Sequence, residues 1–411
     1  MNIGFVSQAL PYLPSRGGFR LYGANLIRVL SRRHQIHLVS LVIEDDAEHL
    51  DWARQYCASV RTIPVTSIGK LMAPVSALSA HLWGRPLQQR SAMAKLLWGS
   101  TRDWDILHVE GGYAGGIVPV NLPIAKVLSL HDSWTLRCDE MLKCANGLGE
   151  KLYYTFLRLH EPRYERLVYP RFEYSSVVAE RDLKAVRKTV PGADVALIPY
   201  GVDADYYAPL NVAKGGSTLV FHGHLGYGPN IDAVLEFADN IFPLIRRAFP
   251  ALTFHLVAAD PVPQIRALAS RPGIHLTVSP PDVRPALSSA SIYVCPMRHG
   301  TGMKNKMLEA MAMQLPIVCY PSAIAGLDCV PGFHVLMADN PINFARHVID
   351  LVHDPLRAET VARAGRALVE ARYSWDLRAR EFEDLYARAI ADRVRRLSAY
   401  GGVPRHEVAE K

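Results

Sequence analysis

One stretch of the sequence combines charged side chains with an apolar helical pattern. Residues 300–318 read GTGMKNKMLEAMAMQLPIV, and short apolar runs lie on either side of them, at 292–295 and 317–320. Between these runs methionine and alanine recur at helical spacing until Pro316 ends the pattern. The pattern predicts a strand, helix, strand unit of a parallel sheet, with a glycine-rich loop in front of the helix and the helix itself starting at Gly302.

Two charged side chains of this helix could bind a ligand. Lys306 and Glu309 are three residues apart, so they share a helix face. As an exposed ion pair they would stabilise the helix by only roughly 0.2–0.5 kcal/mol. However, ligands of α/β proteins bind where helices leave the carboxyl edge of the sheet. There Glu309 could accept the two hydroxyls of a ribose, and Lys306 could neutralise a diphosphate.

Three glycine-rich loops precede predicted helices, at residues 17–18, 223–228 and 300–302. Free backbone N–H groups and the helix dipole make such loops suitable for anions. Turn glycines account for many single cases of this kind. Three loops at equivalent places of strand-and-helix units instead favour phosphate binding.

Two further polar residues follow predicted strands. His131 ends a strand within SLHD (129–132), where it could act as a catalytic group or be an ordinary hydrogen-bonded side chain. Glu44 follows the second strand, where a dinucleotide-binding domain has its ribose-binding acid. An NAD-dependent oxidoreductase is therefore an alternative, although residues 8–23 contain no G-x-G-x-x-G pattern.

We expect no metal site. The two D-x-D triplets, at 103–105 and 203–205, precede a strand and lie in a linker, where capping and turn roles are typical. The six cysteines include no CxxC pair, which favours reduced packing thiols over a zinc site.

The 411 residues suggest two domains. A first series of alternating strands and helices ends near residue 200, and a second begins at 219. We predict a Rossmann-like domain over 1–200 and another over 201–374, facing each other across a cleft, with a final helix at about 375–411 on the first domain. The strands are predicted at 2–7, 36–43, 106–109, 127–130, 176–179, 197–199, 219–222, 253–258, 274–278, 291–295 and 317–320, and the chain from 355 to about 394 is predicted to be helical throughout.

Charge and hydropathy limit the partners. The net charge of +7 is spread along the chain without a Lys/Arg run or a nucleic-acid motif, so nucleic acid is not expected. No apolar run spans a membrane and no signal peptide is expected, which predicts a cytoplasmic protein. Residues 65–100 mix apolar and basic side chains, a pattern that fits either peripheral contact with an anionic membrane or packing within the first domain.

Taken together, these motifs resemble the retaining, nucleotide-sugar-dependent glycosyltransferases of GT-B fold, family four. The similarity extends over nearly the whole chain and is greatest to enzymes of exopolysaccharide and other surface-glycan assembly. The segments that carry it are GG (17–18), SLHD (129–132), IPYGVDADYYAP (198–209), FHGHLGYGPNIDAV (221–234), DVRPALSSASIYVCP (282–296), GTGMKNKMLEAMAMQLPIV (300–318), AGL (325–327) and RYSWDLRAREFEDLY (372–386).

The resemblance implies transfer of a sugar from a nucleoside diphosphate sugar to a sugar, lipid-linked or small-molecule acceptor, with retention and without a cofactor or metal. It implies catalytic roles for His131 and Lys306. The first of the family's two glutamates would fall at Thr301, and His224 occupies the place of a family arginine. Charge compensation is therefore expected from Lys304 and Lys306. The donor-binding residues implied are Gly17, Gly18, Gly223, His224, Thr301, Gly302, Met303, Lys304, Asn305 and Glu309.

Three other functions stay open at this point. A sugar-nucleotide epimerase of the same fold and a binding protein without activity would share most of these residues. The oxidoreductase considered above is the third. The donor sugar, its base, the acceptor and the oligomeric state are not encoded in any motif of the sequence.

Overall fold

The structure, a computed structural model, describes residues 1–14, 18–42, 44–65, 90–145, 147–212, 217–300 and 302–399. The chain forms two compact units. The first unit comprises Met1–Leu142, Asn146–Ile198 and the chain from Arg378 onward, and the second comprises Lys143–Ala145 and Pro199–Leu377.

The first unit is built on a parallel sheet. Its strands lie in the order β3-β2-β1-β4-β5-β6-β7, so the order reverses between β1 and β4. Interior strands such as β4 and β5 are buried along their whole length, which explains their continuous apolar runs. Within the described residues the strands are β1 (Asn2–Ser7), β2 (Gln35–Val42), β3 (Ser59–Pro64), β4 (Ile106–Glu110), β5 (Ala125–His131), β6 (Tyr174–Val177) and β7 (Val195–Leu197).

Helices cover this sheet, and their apolar faces form its core. On α1, for example, Leu26, Val29 and Leu30 are buried, as expected from their spacing. The described helices of the unit are α1 (Gly18–Leu30), α2 (Leu50–Tyr56), α3 (Arg90–Ser100), α4 (Gly112–Ile117), α5 (Trp134–Cys144), α6 (Leu148–Val168) and α7 (Glu180–Thr189). Short 3₁₀ turns lie at Glu44–His49 and Tyr169–Arg171.

The second unit is built in the same way on a smaller parallel sheet. Its strands lie in the order β10-β9-β8-β11-β12-β13, and the order reverses between β8 and β11. A reversal of this kind opens a crevice at the carboxyl edge, the usual place for ligands in such sheets. The described strands are β8 (Thr218–His224), β9 (Thr253–Ala259), β10 (Ile274–Val278), β11 (Ile292–Cys295), β12 (Ile317–Cys319) and β13 (Leu336–Met337).

Helices also flank the second sheet. A π-helical turn (Phe237–Ile241) joins the first two, and 3₁₀ turns lie at Leu268–Ser270 and Pro321–Ile324. The described helices are α8 (Gly228–Glu236), α9 (Phe242–Ala248), α10 (Pro263–Ala267), α11 (Arg284–Ser289), α12 (Asn305–Ala312), α13 (Pro341–His353) and α14 (Pro355–Arg372). The last helix, α15 (Trp375–Ala399), begins in the second unit and belongs to the first from Arg378 onward.

Some element predictions were wrong in detail. The strands predicted at 176–179 and 197–199 lie at Tyr174–Val177 and Val195–Leu197. The helix expected to begin at Gly302 begins at Asn305, because Gly300 and Gly302 have positive φ angles of 119° and 63°. Strands β3 and β13 were not predicted; β3 has six residues but is largely exposed, and β13 has two residues.

The chain from 355 to 394 is also not one helix. It breaks at Tyr373 and Ser374, between α14 and α15. Ser374 forms a bridge with Val202, and its hydroxyl accepts a hydrogen bond from the Leu377 N–H. These contacts interrupt the helix although neither glycine nor proline lies at the break.

Several predictions fall outside the described residues: Gly17, Ile43, Thr301, residues 66–89 of the segment 65–100, and 400–411. Among the residues that are described, no helix is both long enough and apolar enough to span a membrane.

Candidate active site

A lysine lies at the carboxyl edge of the second sheet, against the glycine at the end of β8. Gly223 has a φ of 154°, and a Cβ atom placed on it would lie 3.0 Å from the Lys306 Nζ. A side chain at position 223 would therefore crowd the ammonium group of the lysine. The positive φ favours glycine here, and the lysine lies close to the backbone of β8.

Lys306 is held by two further groups. Its Nζ donates a hydrogen bond of 2.7 Å to the Asn230 Oδ1 at the start of α8. The same nitrogen lies 4.4 Å from the centre of the Phe221 ring, a cation–π contact. Loss of hydration lowers the pKa of Lys306 to about 8. The arrangement holds a poorly hydrated ammonium group that an anionic ligand would stabilise.

Lys304 shapes the loop in front of α12. Its Nζ donates hydrogen bonds to the carbonyl oxygens of Gly300 and Gly302, at 3.1 and 3.0 Å, and the residue is buried. At the first position of α12, the Oδ1 atom of Asn305 is buried, and among the described residues it has no hydrogen-bond partner. Lys304 thus fixes a loop that ends in an unpaired polar atom at the start of a helix.

Glu309 is held by a histidine. Its Oε2 lies 2.6 Å from the His222 Nε2. Burial and the nearby Glu309 raise the pKa of Tyr207, which places this tyrosine beside the carboxylate. The contacts differ from those of an exposed ion pair with Lys306, because that lysine bonds to Asn230 instead. His222 therefore orients the carboxylate of Glu309 at the same edge of the sheet.

His131 lies at the carboxyl end of β5 in the first unit. Its φ of 65° places it in the left-handed region, and the pairing of β5 with β6 shifts register at the same point. Such backbone geometry in a residue other than glycine is a frequent feature of functional sites. The His131 Nε2 lies 2.5 Å from the Oε1 of Glu110. Because a carboxylate only accepts hydrogen bonds, this contact places a proton on Nε2.

Glu110 connects His131 to a buried chain of polar groups. Its second oxygen lies 2.9 Å from the His108 Nε2, and the Tyr386 hydroxyl lies 2.7 Å from the His108 Nδ1. Burial acts to raise the pKa of Glu110, but the neighbouring His131 and His108 outweigh it, so the pKa is lowered. Glu110 is thus a buried carboxylate that fixes the ring of His131.

The other candidate residues have simpler surroundings. Gly18 is the first residue of α1. His224 is partly exposed, with its Nε2 3.4 Å from Asp260. Met303 is buried, and its sulfur accepts a hydrogen bond from the Tyr200 N–H at 3.3 Å. Glu44 begins the 3₁₀ turn after β2.

The aspartate triplets have structural contacts. Asp105 accepts a hydrogen bond from the Asn2 N–H at 2.7 Å, and Asp203 accepts one from the Tyr206 N–H at 2.9 Å. The Asp203 contact is the turn contact expected from the sequence, whereas Asp105 bonds to the start of β1, far away in the chain. Across the described residues no three His, Cys, Asp or Glu side chains are grouped as a metal site.

The sequence analysis did not identify several residues that contact the candidate groups, among them Glu110, His222 and Tyr207. Glu110 and His222 are polar residues near the carboxyl ends of buried strands, which was the same signal that identified His131. Tyr207 lies in a linker, and no pattern there indicates contact with Glu309.

Part of the second unit matches a known protein family. Residues 216–354 match the family model "Glycosyl transferases group 1". A 44.6 kDa protein from the cps region of Klebsiella pneumoniae is 20% identical over 358 residues, which are 84% of this chain and 89% of that protein.

Solved structures with the same fold cover almost the whole chain. Sucrose-phosphate synthase from Thermosynechococcus elongatus superposes with a TM-score of 0.70 and 15% identity, over 95% of this chain and all of that chain. HepE of Anabaena, solved with UDP and glucose, gives a TM-score of 0.63 and 15% identity, over 94% of this chain and 99% of that chain. The chain therefore has the two-domain GT-B fold of these enzymes, and residues 216–354 of its second unit match a glycosyl transferases group 1 domain.

Proposed function

We propose that the protein transfers a sugar from a nucleoside diphosphate sugar to an acceptor hydroxyl with retention of configuration. One observation carries the proposal: a desolvated Lys306 and an oriented Glu309 lie on one helix at the carboxyl edge of the second sheet. The lysine suits a diphosphate, and the carboxylate suits a ribose. The HepE structure with UDP supports a nucleoside diphosphate as the ligand class.

In this proposal, the second unit stabilises the leaving group. The bond between the anomeric carbon and the phosphate oxygen breaks while a bond from that carbon to the acceptor oxygen forms on the same face. The departing phosphate oxygen takes the proton of the acceptor hydroxyl. Lys306 and the backbone N–H groups after Gly302 stabilise the negative charge that develops on the diphosphate. Charge compensation by these groups needs no metal, which is why we propose a metal-independent enzyme.

His131 is the second catalytic group that we propose. Its Nε2–H is occupied by Glu110, so the carboxylate keeps the ring in one orientation. We propose that His131 holds hydroxyls of the donor sugar and that Glu110 is a positioning residue. His108 and Tyr386 extend the same hydrogen-bonded chain: His108 contacts the second oxygen of Glu110, and Tyr386 contacts His108.

The biological setting is proposed from the relatives. The Klebsiella protein belongs to a cps region, which supports a role in assembly of a surface glycan. The acceptor would then be a sugar or a lipid-linked glycan. A cytoplasmic location with peripheral membrane contact of residues 65–100 is part of the same proposal.

Incubation with radiolabelled donors tests the activity itself. Transfer gives a labelled product larger than the sugar, epimerisation gives a new nucleotide sugar, and a binding protein leaves the donor unchanged. A thermal-shift series with UDP, GDP, ADP and TDP identifies the nucleotide. A ligand at tenfold excess over its Kd stabilises the protein by about 1.4 kcal/mol. No transfer with any donor of the nucleotide so identified would contradict the proposal.

We expect Glu309→Ala to weaken binding of that nucleotide while the protein stays folded. Loss of a charged hydrogen-bond acceptor costs about 1.5–3 kcal/mol of binding free energy. Calorimetry with the nucleoside diphosphate and its 2′-deoxy form provides the measurement. Glu309→Ala should reduce the difference between the two ligands, because the contact is to the ribose. Glu370→Ala, an exposed pair partner on α14, is the matched control. An unchanged affinity of the Glu309 variant would refute ribose binding.

We expect an α-linked product from an α-linked donor. The reason is that the cationic and N–H groups at the site serve the leaving group, whereas inversion requires a general base opposite it. Proton NMR of the isolated glycoside gives the anomeric coupling, and addition of EDTA tests the metal independence. A β-linked product contradicts retention. Activity that EDTA abolishes and manganese restores contradicts the metal-free mechanism.

A further inference from the structure

Helix α6 (Leu148–Val168) presents large apolar side chains to solvent. Leu148, Leu152 and Leu159 are 77%, 63% and 71% exposed, and Tyr153 is 58% exposed. The three leucines are separated by four and seven residues, so they lie on one face of the helix. Scattered exposed leucines are common on proteins, but a contiguous apolar stripe indicates an interaction surface.

The opposite side of α6 already has its packing partners. Leu157, Tyr164 and Val168 are buried in the first unit, and so are the side chains of Glu161 and Glu165. The helix is thus held in place by its inner side. The outer leucines contribute nothing to that packing, so their exposure is not explained by the fold of the unit.

The charges beside the leucines have one dominant sign. Lys151, Arg158, Arg163 and Arg166 are exposed on α6, whereas Glu150 is the exposed acid among the described side chains of the helix. The other two glutamates of α6 point inward and are buried. Arg158 is paired with Asp139 of α5 at 2.7 Å. The other exposed basic residues, Lys151, Arg163 and Arg166, make this side of the helix positively charged.

We propose that α6 docks on an anionic lipid bilayer. The α6 surface, defined as Leu148, Leu152 and Leu159 with Lys151 and Arg163, has the two properties that such binding requires. Apolar side chains enter the boundary between headgroups and acyl chains, and basic side chains contact anionic headgroups. A second copy of the chain would bring the same basic residues together, so charge favours the bilayer over self-association.

Residues 148–168 lie outside the sequence segment 65–100, and the proposed function assigns no step of the transfer reaction to α6. The membrane proposal holds whether or not the protein transfers sugar. Its test therefore uses binding to vesicles, and a failure of the proposed activity would leave it unaffected.

The full chain is floated with phosphatidylcholine vesicles that contain or lack phosphatidylglycerol, at low and high salt. We expect flotation with the anionic vesicles at low salt and little with phosphatidylcholine alone. Leu152→Glu combined with Leu159→Glu should lower the partition coefficient at least about tenfold, because carboxylates replace the inserted groups. Each basic residue neutralised, in Lys151→Gln and Arg163→Gln, should lower it about fivefold.

Leu356→Glu is the matched control, since this leucine is at least as exposed as Leu152 and Leu159, at 77%, but lies on α14 of the second unit. It should float like the unaltered protein. Circular dichroism and thermal unfolding show whether each variant is folded. Absence of flotation with anionic vesicles, or flotation that the leucine substitutions leave unchanged, overturns the proposal. A dimer that Leu152→Glu dissociates would identify a second copy as the occupant and would also overturn it.

Discussion

Replacing His131 with alanine is expected to lower kcat roughly 10²–10³-fold while the affinity for the nucleotide stays nearly unchanged. The reason is that His131 belongs to the first unit, whereas the residues assigned to the nucleotide belong to the second. The histidine is proposed to act on the sugar as the transition state forms. Steady-state kinetics give kcat, and calorimetry with the nucleoside diphosphate gives the affinity.

Folding must be controlled, because His131 is buried and packs against the rings of Tyr22 and Phe19 at 4.6 and 5.1 Å. His131→Asn retains a polar side chain of smaller size, and its unfolding temperature is measured beside that of His131→Ala. A folded variant with unchanged kcat would show that His131 is an ordinary strand-end residue. Loss of nucleotide affinity in a folded variant would assign it to nucleotide binding instead.

Glu110→Gln is the accompanying variant, since it keeps the size of the side chain and removes its charge. Because Glu110 acts through His131, we expect kcat to fall less than in His131→Ala, with little change in KM. A variant that loses stability but keeps its kcat would give Glu110 a purely structural role.

The sequence was sufficient to predict the two sheets and to place the candidate residues at their carboxyl edges. Buried parallel strands are short apolar runs, so β1, β9, β10 and β11 were found to within about two residues, the usual uncertainty of element boundaries. In a parallel sheet every strand ends at the same edge. A polar residue after a strand, such as His131, could therefore be placed at the carboxyl edge of the sheet without knowledge of the strand order.

The pairs within the sites could not be predicted, because each joins residues far apart in the sequence. His222 and Glu309 are 87 residues apart, and Asn230 and Lys306 are 76 apart. Both contacts depend on β8 and β11 being neighbours, which is a property of strand order. The spacing of residues along the chain carries no information about that order. For the same reason Lys306 and Glu309 could be assigned to one helix face, but their separate partners could not.

Loop conformation was a second source of error. The helix was expected to start at Gly302. Instead, the ammonium group of Lys304 donates hydrogen bonds to the carbonyl oxygens of the loop before the helix begins. This contact removes Lys304 from the helix and leaves Lys306 as the lysine beside Gly223. The sequence predicted two lysines beside a diphosphate. In the structure Lys304 bonds to loop carbonyls and Lys306 to Asn230, so the effect of replacing Lys306 can be tested separately.

Lys306→Met is therefore expected to weaken binding of the nucleoside diphosphate about 10–100-fold and to lower kcat roughly 10²–10³-fold. Methionine keeps the length and packing of the side chain against Phe221 while it removes the charge. Binding of the nucleoside without phosphates should be unaffected, because the ammonium group is assigned to the diphosphate. Lys184→Met, which alters an exposed lysine of α7, is the matched control.

The pH dependence provides an independent readout for Lys306. A lysine is charged below its pKa, so in the free protein this one loses its proton as the pH rises through about 8. The diphosphate binds the charged form, and its affinity should therefore be nearly constant below that pH and fall above it, by at most about tenfold per pH unit. Lys306→Met should bind weakly with no such dependence between pH 7 and about 10, where an ordinary lysine would titrate. If the unaltered protein keeps its affinity across this range, or if the variant binds the diphosphate as tightly, Lys306 does not compensate the charge of the leaving group.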